Sequence, residues 1–151
     1  MPYLDGVKGK LRFIHQTGEA DYARVLASYL KFSQARVEKF IYDMPAAYSA
    51  ASLLICRAGA STLAEIAAVG RASILIPLPT AADNHQEKNA LAFVNAGAAR
   101  ILNQTSTRGQ ELATLIIELM ESSTQIVEME RKVIQFYRPH AALDIVENLY
   151  V

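Results

Sequence analysis

Short apolar runs alternate along this chain with longer segments whose apolar positions recur every three or four residues. LRFIH (11–15), VEKFI (37–41), SLLICR (52–57), ASILIPL (72–78) and AARIL (98–102) predict five strands. The unbroken apolar character of ASILIPL predicts a strand buried on both faces. Segments 18–32, 44–51, 61–70, 85–96, 108–122, 124–136 and 139–149 predict helices, with Gly70 and Gly97 as helix stops. Strand–helix alternation predicts an α/β fold: a Rossmann-like, mostly parallel sheet flanked by helices, with right-handed crossovers. The expected organisation is one domain over 1–151, with a strand–helix core at 11–102 and C-terminal helices at 108–149. Repeats, low-complexity tracts and linkers are absent from the sequence.

Composition narrows the function classes. At 151 residues, 52% hydrophobic and 20% charged, the chain can bury a real core. Lys plus Arg equals Asp plus Glu at 15 each, so no net field steers it toward nucleic acid. The single cysteine, Cys56, excludes an intrachain disulfide and fits a reducing compartment. No apolar run approaches the ~20 residues of a bilayer crossing. The start, MPYLDGVKGK, lacks an apolar signal core, so a cytoplasmic chain is expected.

In parallel sheets ligands collect outside the carboxyl ends of the strands. Here those ends read His15-Gln16-Thr17-Gly18, Ile41-Tyr42-Asp43, Arg57-Ala58-Gly59-Ala60, and Pro77 through Gln86. In CRAGASTLAEIAAVG (56–70), Gly59 permits close approach to the backbone, and the N–H groups of residues 60–63 open a helix toward the strand ends. Donors and macrodipole together make such an end an anion site. Thr62-Leu-Ala-Glu65 also fits the capping box S/T-x-x-E, with Glu65 in the first turn. The two readings overlap, because that carboxylate could also accept from sugar hydroxyls. Asp83 through Asn89, DNHQEKN, is dense in side chains able to bind hydroxyls, and equally fits a solvated cap with Asp83 or Asn84 as N-cap. His85 alone argues for neither a ligand nor a base. His15 reads as a hydrogen-bonded structural histidine, and with no second His or Cys at ligand spacing no metal is expected. G-x-S-x-G, the Gly-Lys-Ser/Thr phosphate loop and G-x-G-x-x-G are all missing, and neither a cofactor nor a catalytic residue is assigned.

HQTG (15–18), FIYDMPAAYSAASLLICRAGASTLAEIAAVGRASILIPLP (40–79), DNHQEKNA (83–90), NAGAARIL (95–102) and the ending PHAALDIVENL (139–149) together resemble the carboxyl-terminal half of the MurG family. These are the undecaprenyl-pyrophosphoryl-muramoyl-pentapeptide N-acetylglucosaminyltransferases of peptidoglycan synthesis, with the GT-B fold. The resemblance implies a UDP-GlcNAc donor site formed by Ile41, Arg57, Gly59, Ala60, Ser61, Thr62, Glu65, His85 and Gln86, with His15 and Gln16 as further candidates. Ile41 would hold the uracil edge through its backbone, and residues 60–62 would lie near the diphosphate. Glu65 would bind the ribose hydroxyls, with His85 and Gln86 beside the hydroxyls of N-acetylglucosamine. Ala58 stands where many members carry serine, which removes one hydroxyl near the phosphates.

Measured against that family, residues 1–10 contain neither the first strand nor the Gly-rich loop of a complete donor domain, and no acceptor domain is present. The expectation is a GT-B half-domain with its first strand missing: the donor-binding portion of an inverting transferase, inactive alone. It would meet lipid-linked muramoyl-pentapeptide only with the missing acceptor domain, in the cytoplasm or at the inner face of the plasma membrane. The alternative is a non-catalytic fragment or interaction subunit that forms a homo-oligomer or pairs with a separate acceptor-domain chain.

Overall fold

The computed structural model describes residues 2–4, 6–7 and 9–149, so the limits of the expected domain, Met1, Tyr150 and Val151, lie outside the described residues. Packing divides the chain into two units, 1–51 with 107–121 and 52–106 with 122–151.

In the first unit β1 (Phe13–Gln16) and β2 (Ala35–Glu38) pair in parallel, from Phe13 opposite Ala35 to Gln16 opposite Glu38. Helix α1 (Tyr22–Ser28) joins them. Along β1 the side chains alternate, leaving Phe13 and His15 half-buried and Ile14 and Gln16 exposed. Tyr29 and Phe32 are buried against Phe13, each with its ring centroid 5.4 Å away. Helix α2 (Met44–Ala50) begins on Asp43, whose carboxylate accepts from the Ala46 N–H at 3.0 Å. Helix α5 (Gly109–Glu121) buries Ala113, Ile116 and Leu119 and packs on a short 3₁₀ turn, Pro2–Leu4.

The second unit holds a three-stranded parallel sheet of β3 (Leu54–Cys56), β4 (Ser73–Leu75) and β5 (Ala99–Ile101), with β4 central. Every residue of β4 is buried, as its apolar run predicts. Helix α3 (Ala60–Val69) follows β3, and α4 (His85–Asn95) links β4 to β5. Helix α6 (Ser123–Val133) runs on into a 3₁₀ turn, Ile134–Phe136, before α7 (Ala141–Leu149), all of whose residues are exposed. Leu63, Ile66, Leu75, Phe93 and Val133 form the core, and Phe136 stacks on Phe93 at 4.1 Å between centroids.

The α/β class and the parallel pairing stand as expected, and among the described residues the strands form two sheets, one in each unit. Strand β2 starts earlier than the apolar run and ends at Glu38, which leaves Ile41 three residues beyond the strand. Helix 18–32 shrinks to Tyr22–Ser28, and 124–136 changes to 3₁₀ geometry after Val133. Among the described residues no helix is long and apolar enough to cross a membrane.

Candidate functional site

The β3–α3 junction departs from the capping-box expectation. The N-cap of α3 is Gly59, with no side-chain cap, so Thr62 is the third helical residue and Glu65 the sixth. Glu65 therefore sits in the second turn and closes no capping box at the helix start. The early start is favourable because it lengthens a helix that buries Leu63, Ile66 and Ala67 on one face. It leaves the N–H groups of Ala60, Ser61 and Thr62 without an intrahelical acceptor. Leu63, expected among the open donors, instead donates to the Gly59 carbonyl at 3.0 Å. The helix entrance thus offers three backbone donors, on residues that are exposed or half-exposed, with no side-chain cap from Gly59.

Gly59 has φ −67° and ψ 147°, a conformation open to any residue, and a Cβ built there would meet only the Thr62 hydroxyl, at 3.9 Å. The fold therefore does not require glycine at 59. A bare backbone does allow a ligand to approach closely. Ser61 and Glu65 lie one turn apart on the exposed face of α3. Behind them the Cys56 thiol is pushed up to about 12, first by burial and then by the Glu65 charge, which makes it an inert group.

Arg57 is exposed but committed: its Nη1 donates to the carbonyls of Ile76 at 3.0 Å and Pro77 at 3.2 Å. It ties the exit of β3 to the exit of β4. Asn89, quoted within DNHQEKNA but not singled out from the sequence, reaches back from α4 and donates through Nδ2 to the Ala58 carbonyl at 3.2 Å. Its position one turn after Gln86 was the available signal, and polar density hid it. Ala58 itself is fully buried in the core, so a serine hydroxyl there would stand among apolar side chains rather than near an anion.

The approach to α4 is unusual backbone. Asp83 and Asn84 both have positive φ, 50° and 53°, and neither caps the helix through its side chain. Asp and Asn are the non-glycine residues that best tolerate this region. The turn delivers His85, whose Nδ1 lies 2.7 Å from the Ala82 carbonyl, and Gln86, whose Oε1 accepts from the Leu78 N–H at 3.0 Å. Gln86 spends its carbonyl on that bond and keeps its amide donors for other partners. Arg57, Gly59, Ala60, Ser61, Thr62, Glu65, His85 and Gln86 thus all belong to the second unit and cluster by chain position at the exits of β3 and β4.

His15, Gln16 and Ile41 belong to the first unit, at the carboxyl ends of β1 and β2. His15 Nδ1 lies 3.1 Å from the Tyr29 hydroxyl and its ring meets the Tyr29 ring edge-on, so this histidine is a packing residue. Burial holds its pKa below the ordinary value and pushes Tyr29 up to about 12. Gln16 Oε1 accepts from the Ile41 N–H at 2.8 Å. Among the described residues no group of three or more His, Cys, Asp or Glu side chains could hold a metal ion.

Comparison with known proteins gives a consistent result. The family model described as glycosyltransferase family 28 C-terminal domain matches residues 4–147. A UDP-N-acetylglucosamine–N-acetylmuramyl-(pentapeptide) pyrophosphoryl-undecaprenol N-acetylglucosamine transferase of Citrifermentans bemidjiense is 48% identical over 150 residues, 99% of this chain and 42% of the relative. A protein of the same description from a Geobacter species is 50% identical over 132 residues, 87% of this chain and 36% of the relative. The crystal structure of Acinetobacter baumannii MurG superposes with a TM-score of 0.81 at 34% identity, over 91% of this chain and 40% of that one. The chain spans about two fifths of the length of the relatives it matches.

Proposed function

The chain belongs to the glycosyltransferase family 28 C-terminal domain family, and from that membership we propose that it is the UDP-GlcNAc-binding part of an inverting N-acetylglucosaminyltransferase of peptidoglycan synthesis. The observation that carries this reading is the entrance of α3: three backbone donors without a cap, beside a glycine that the fold does not need. A nucleoside diphosphate has the charge and the close approach such an entrance fits. In this reading the N–H groups of Ala60, Ser61 and Thr62 hold the diphosphate and Gly59 admits it. Glu65 accepts from the ribose hydroxyls one turn further on. His85 and Gln86 meet the sugar hydroxyls, and the Ile41 backbone holds the uracil edge. Arg57 and Asn89 act as positioning residues, fixing the β3–α3 turn to the end of β4 and to α4. The family match runs through residues of both units.

The reaction is displacement at the anomeric carbon by an acceptor hydroxyl, with inversion. The new bond to that oxygen forms as the bond to UDP breaks, and a base on the acceptor side takes the hydroxyl proton. This chain's part is to orient the sugar and to stabilise charge on the departing UDP through the α3 donors and dipole. The acceptor is lipid-linked muramoyl-pentapeptide, which places the reaction at the inner face of the plasma membrane. The acceptor side and its base come from the part of the relatives' length that this chain does not span, or from a separate chain. The 151 residues alone are therefore inactive in transfer.

Calorimetric titration with UDP tests the site. Wild type should bind, and Glu65→Gln should lose about tenfold or more in affinity. That is the scale of a charge-assisted bond of about 1.5–3 kcal/mol. The exposed position of Glu65 should leave the melting temperature nearly unchanged. Equal UDP affinity in the two proteins would remove the ribose role, and no binding by wild type would remove the donor site.

A further inference from the structure

Strand β2 ends at Glu38, and its pairing with β1 persists for two more residues, Thr17 donating to the Glu38 carbonyl at 2.9 Å and Gly18 to the Lys39 carbonyl at 3.0 Å. Ile41 lies beyond any strand partner. Its N–H is taken by a side chain, the Gln16 carboxamide oxygen at 2.8 Å. Ile41 is only 5% exposed, whereas Gln16 stands exposed at the carboxyl end of β1 and makes no other side-chain hydrogen bond among the described residues. A buried residue's backbone donor is thus satisfied by a solvent-facing amide.

We infer that Gln16 is a placeholder for the nucleobase: its carboxamide oxygen holds the Ile41 N–H until a pyrimidine carbonyl takes its place. The inference rests on the reading that the Ile41 backbone holds the base. A residue's main chain offers one donor and one acceptor. Uracil presents N3–H between two carbonyl oxygens, so both Ile41 groups can read its edge only if the N–H is released. The group holding that N–H is an amide carbonyl, which matches a pyrimidine carbonyl in acceptor chemistry. Exchange of one for the other leaves the donor satisfied at every stage, and the side chain can rotate away because nothing else anchors it. In the pose that sets uracil O4 on the Ile41 N–H and N3–H on the Ile41 carbonyl, cytosine instead turns an amino donor toward the N–H and an unprotonated N3 toward the carbonyl, so in that pose it does not displace Gln16. Gln16 therefore tempers the affinity for uracil, which must displace it, and leaves untouched a base that does not claim the Ile41 N–H.

The test is titration of wild type and Gln16→Ala with UDP and with CDP, with the Ile41 amide and the Gln16 side-chain amide followed by NMR. Removing the competitor should tighten UDP binding by about three- to tenfold, the scale of one neutral hydrogen bond, and change CDP little. The Ile41 amide should exchange faster in Gln16→Ala than in wild type and regain protection with UDP. In wild type the Gln16 side-chain resonances should shift on UDP saturation, a readout that holds even if the variant folds poorly. Weaker UDP binding by Gln16→Ala would mean that Gln16 supports the bound state, and unchanged binding that the base does not use this donor. Either overturns the inference, as does a Gln16 signal that stays fixed while UDP binds. Wild type that binds no UDP overturns the site reading itself, and the inference with it.

Discussion

His15 and Glu65 were both legible as candidates in the sequence, and the structure places them differently, His15 packed against Tyr29 and Glu65 on the exposed face of α3. His15 meets the Tyr29 hydroxyl, and burial lowers its pKa from the ordinary 6.5. The folded state thus binds the His15 proton less tightly than the unfolded chain does. Its contribution to stability is fully present above pH 6.5 and is lost as pH falls from 6.5 toward the folded value. Tyr29, raised to about 12, stays neutral throughout that window. The denaturation midpoint should therefore fall between pH 7.5 and 5.5 in wild type, and fall less in His15→Gln. Equal pH slopes in the two proteins would show that the ring is not held neutral by the fold. For Glu65 the sequence pattern pointed to a cap because T-L-A-E matches the box by spacing. Spacing alone does not fix the helix start: Gly59 serves as N-cap and moves the carboxylate to the second turn. Asn89 and Arg57 were illegible as positioning residues for a related reason, since their partners are backbone carbonyls 31 and 19 positions away.

At the scale of the element, α3 is bounded by two glycines whose reasons differ. Gly70 sits at φ 63°, and a Cβ there would meet Ile134 side-chain carbons at 3.3 and 3.4 Å. Gly59 has neither constraint. Gly70→Ala should therefore cost about 1–2 kcal/mol from the left-handed backbone alone, whereas Gly59→Ala should stay within about 0.5 kcal/mol and lose UDP affinity instead. Chemical denaturation paired with UDP titration checks the crossed result, and equal stability losses at both ends would refute it. The helix stops at Gly70 and Gly97 were readable because a left-handed C-cap has a residue preference strong enough to see in one sequence. Strand limits were not readable in the same way. Apolar runs mark what is buried, and the ladder stops where partners run out, so β2 gives up 39–41 although those residues continue its run.

On the scale of the whole molecule, neither compact unit is a continuous stretch of chain. The first takes 1–51 and then 107–121, and the second takes 52–106 and then 122–151. Strand–helix alternation gave the class and the parallel pairing, but it could not foresee this interleaving. Helix α5 carries the same amphipathic signal whichever unit it packs in. Its buried face, Ala113, Ile116 and Leu119, belongs to the first unit, where it packs on the turn that holds buried Leu4. The other elements of that unit are two four-residue strands and two seven-residue helices. Helices so short are marginal without tertiary packing, and a two-stranded ladder does not stand by itself. A version of the chain ending at residue 106 should therefore lose the fold of 1–51 even though every residue of that segment remains. Amide exchange read at Ile41 and at the β1–β2 ladder checks this, with protection expected in the 151-residue chain and absent from the shortened one. The shortened chain also lacks α6, so a second variant isolates the cause. Ile116→Asp keeps the full length and puts a charge into the buried face of α5, a substitution that costs several kcal/mol by burying an unpaired charge. It should abolish the same protection while that of β3–β5 persists. Retained protection of β1 and β2 in Ile116→Asp would mean that the first unit holds without the α5 face.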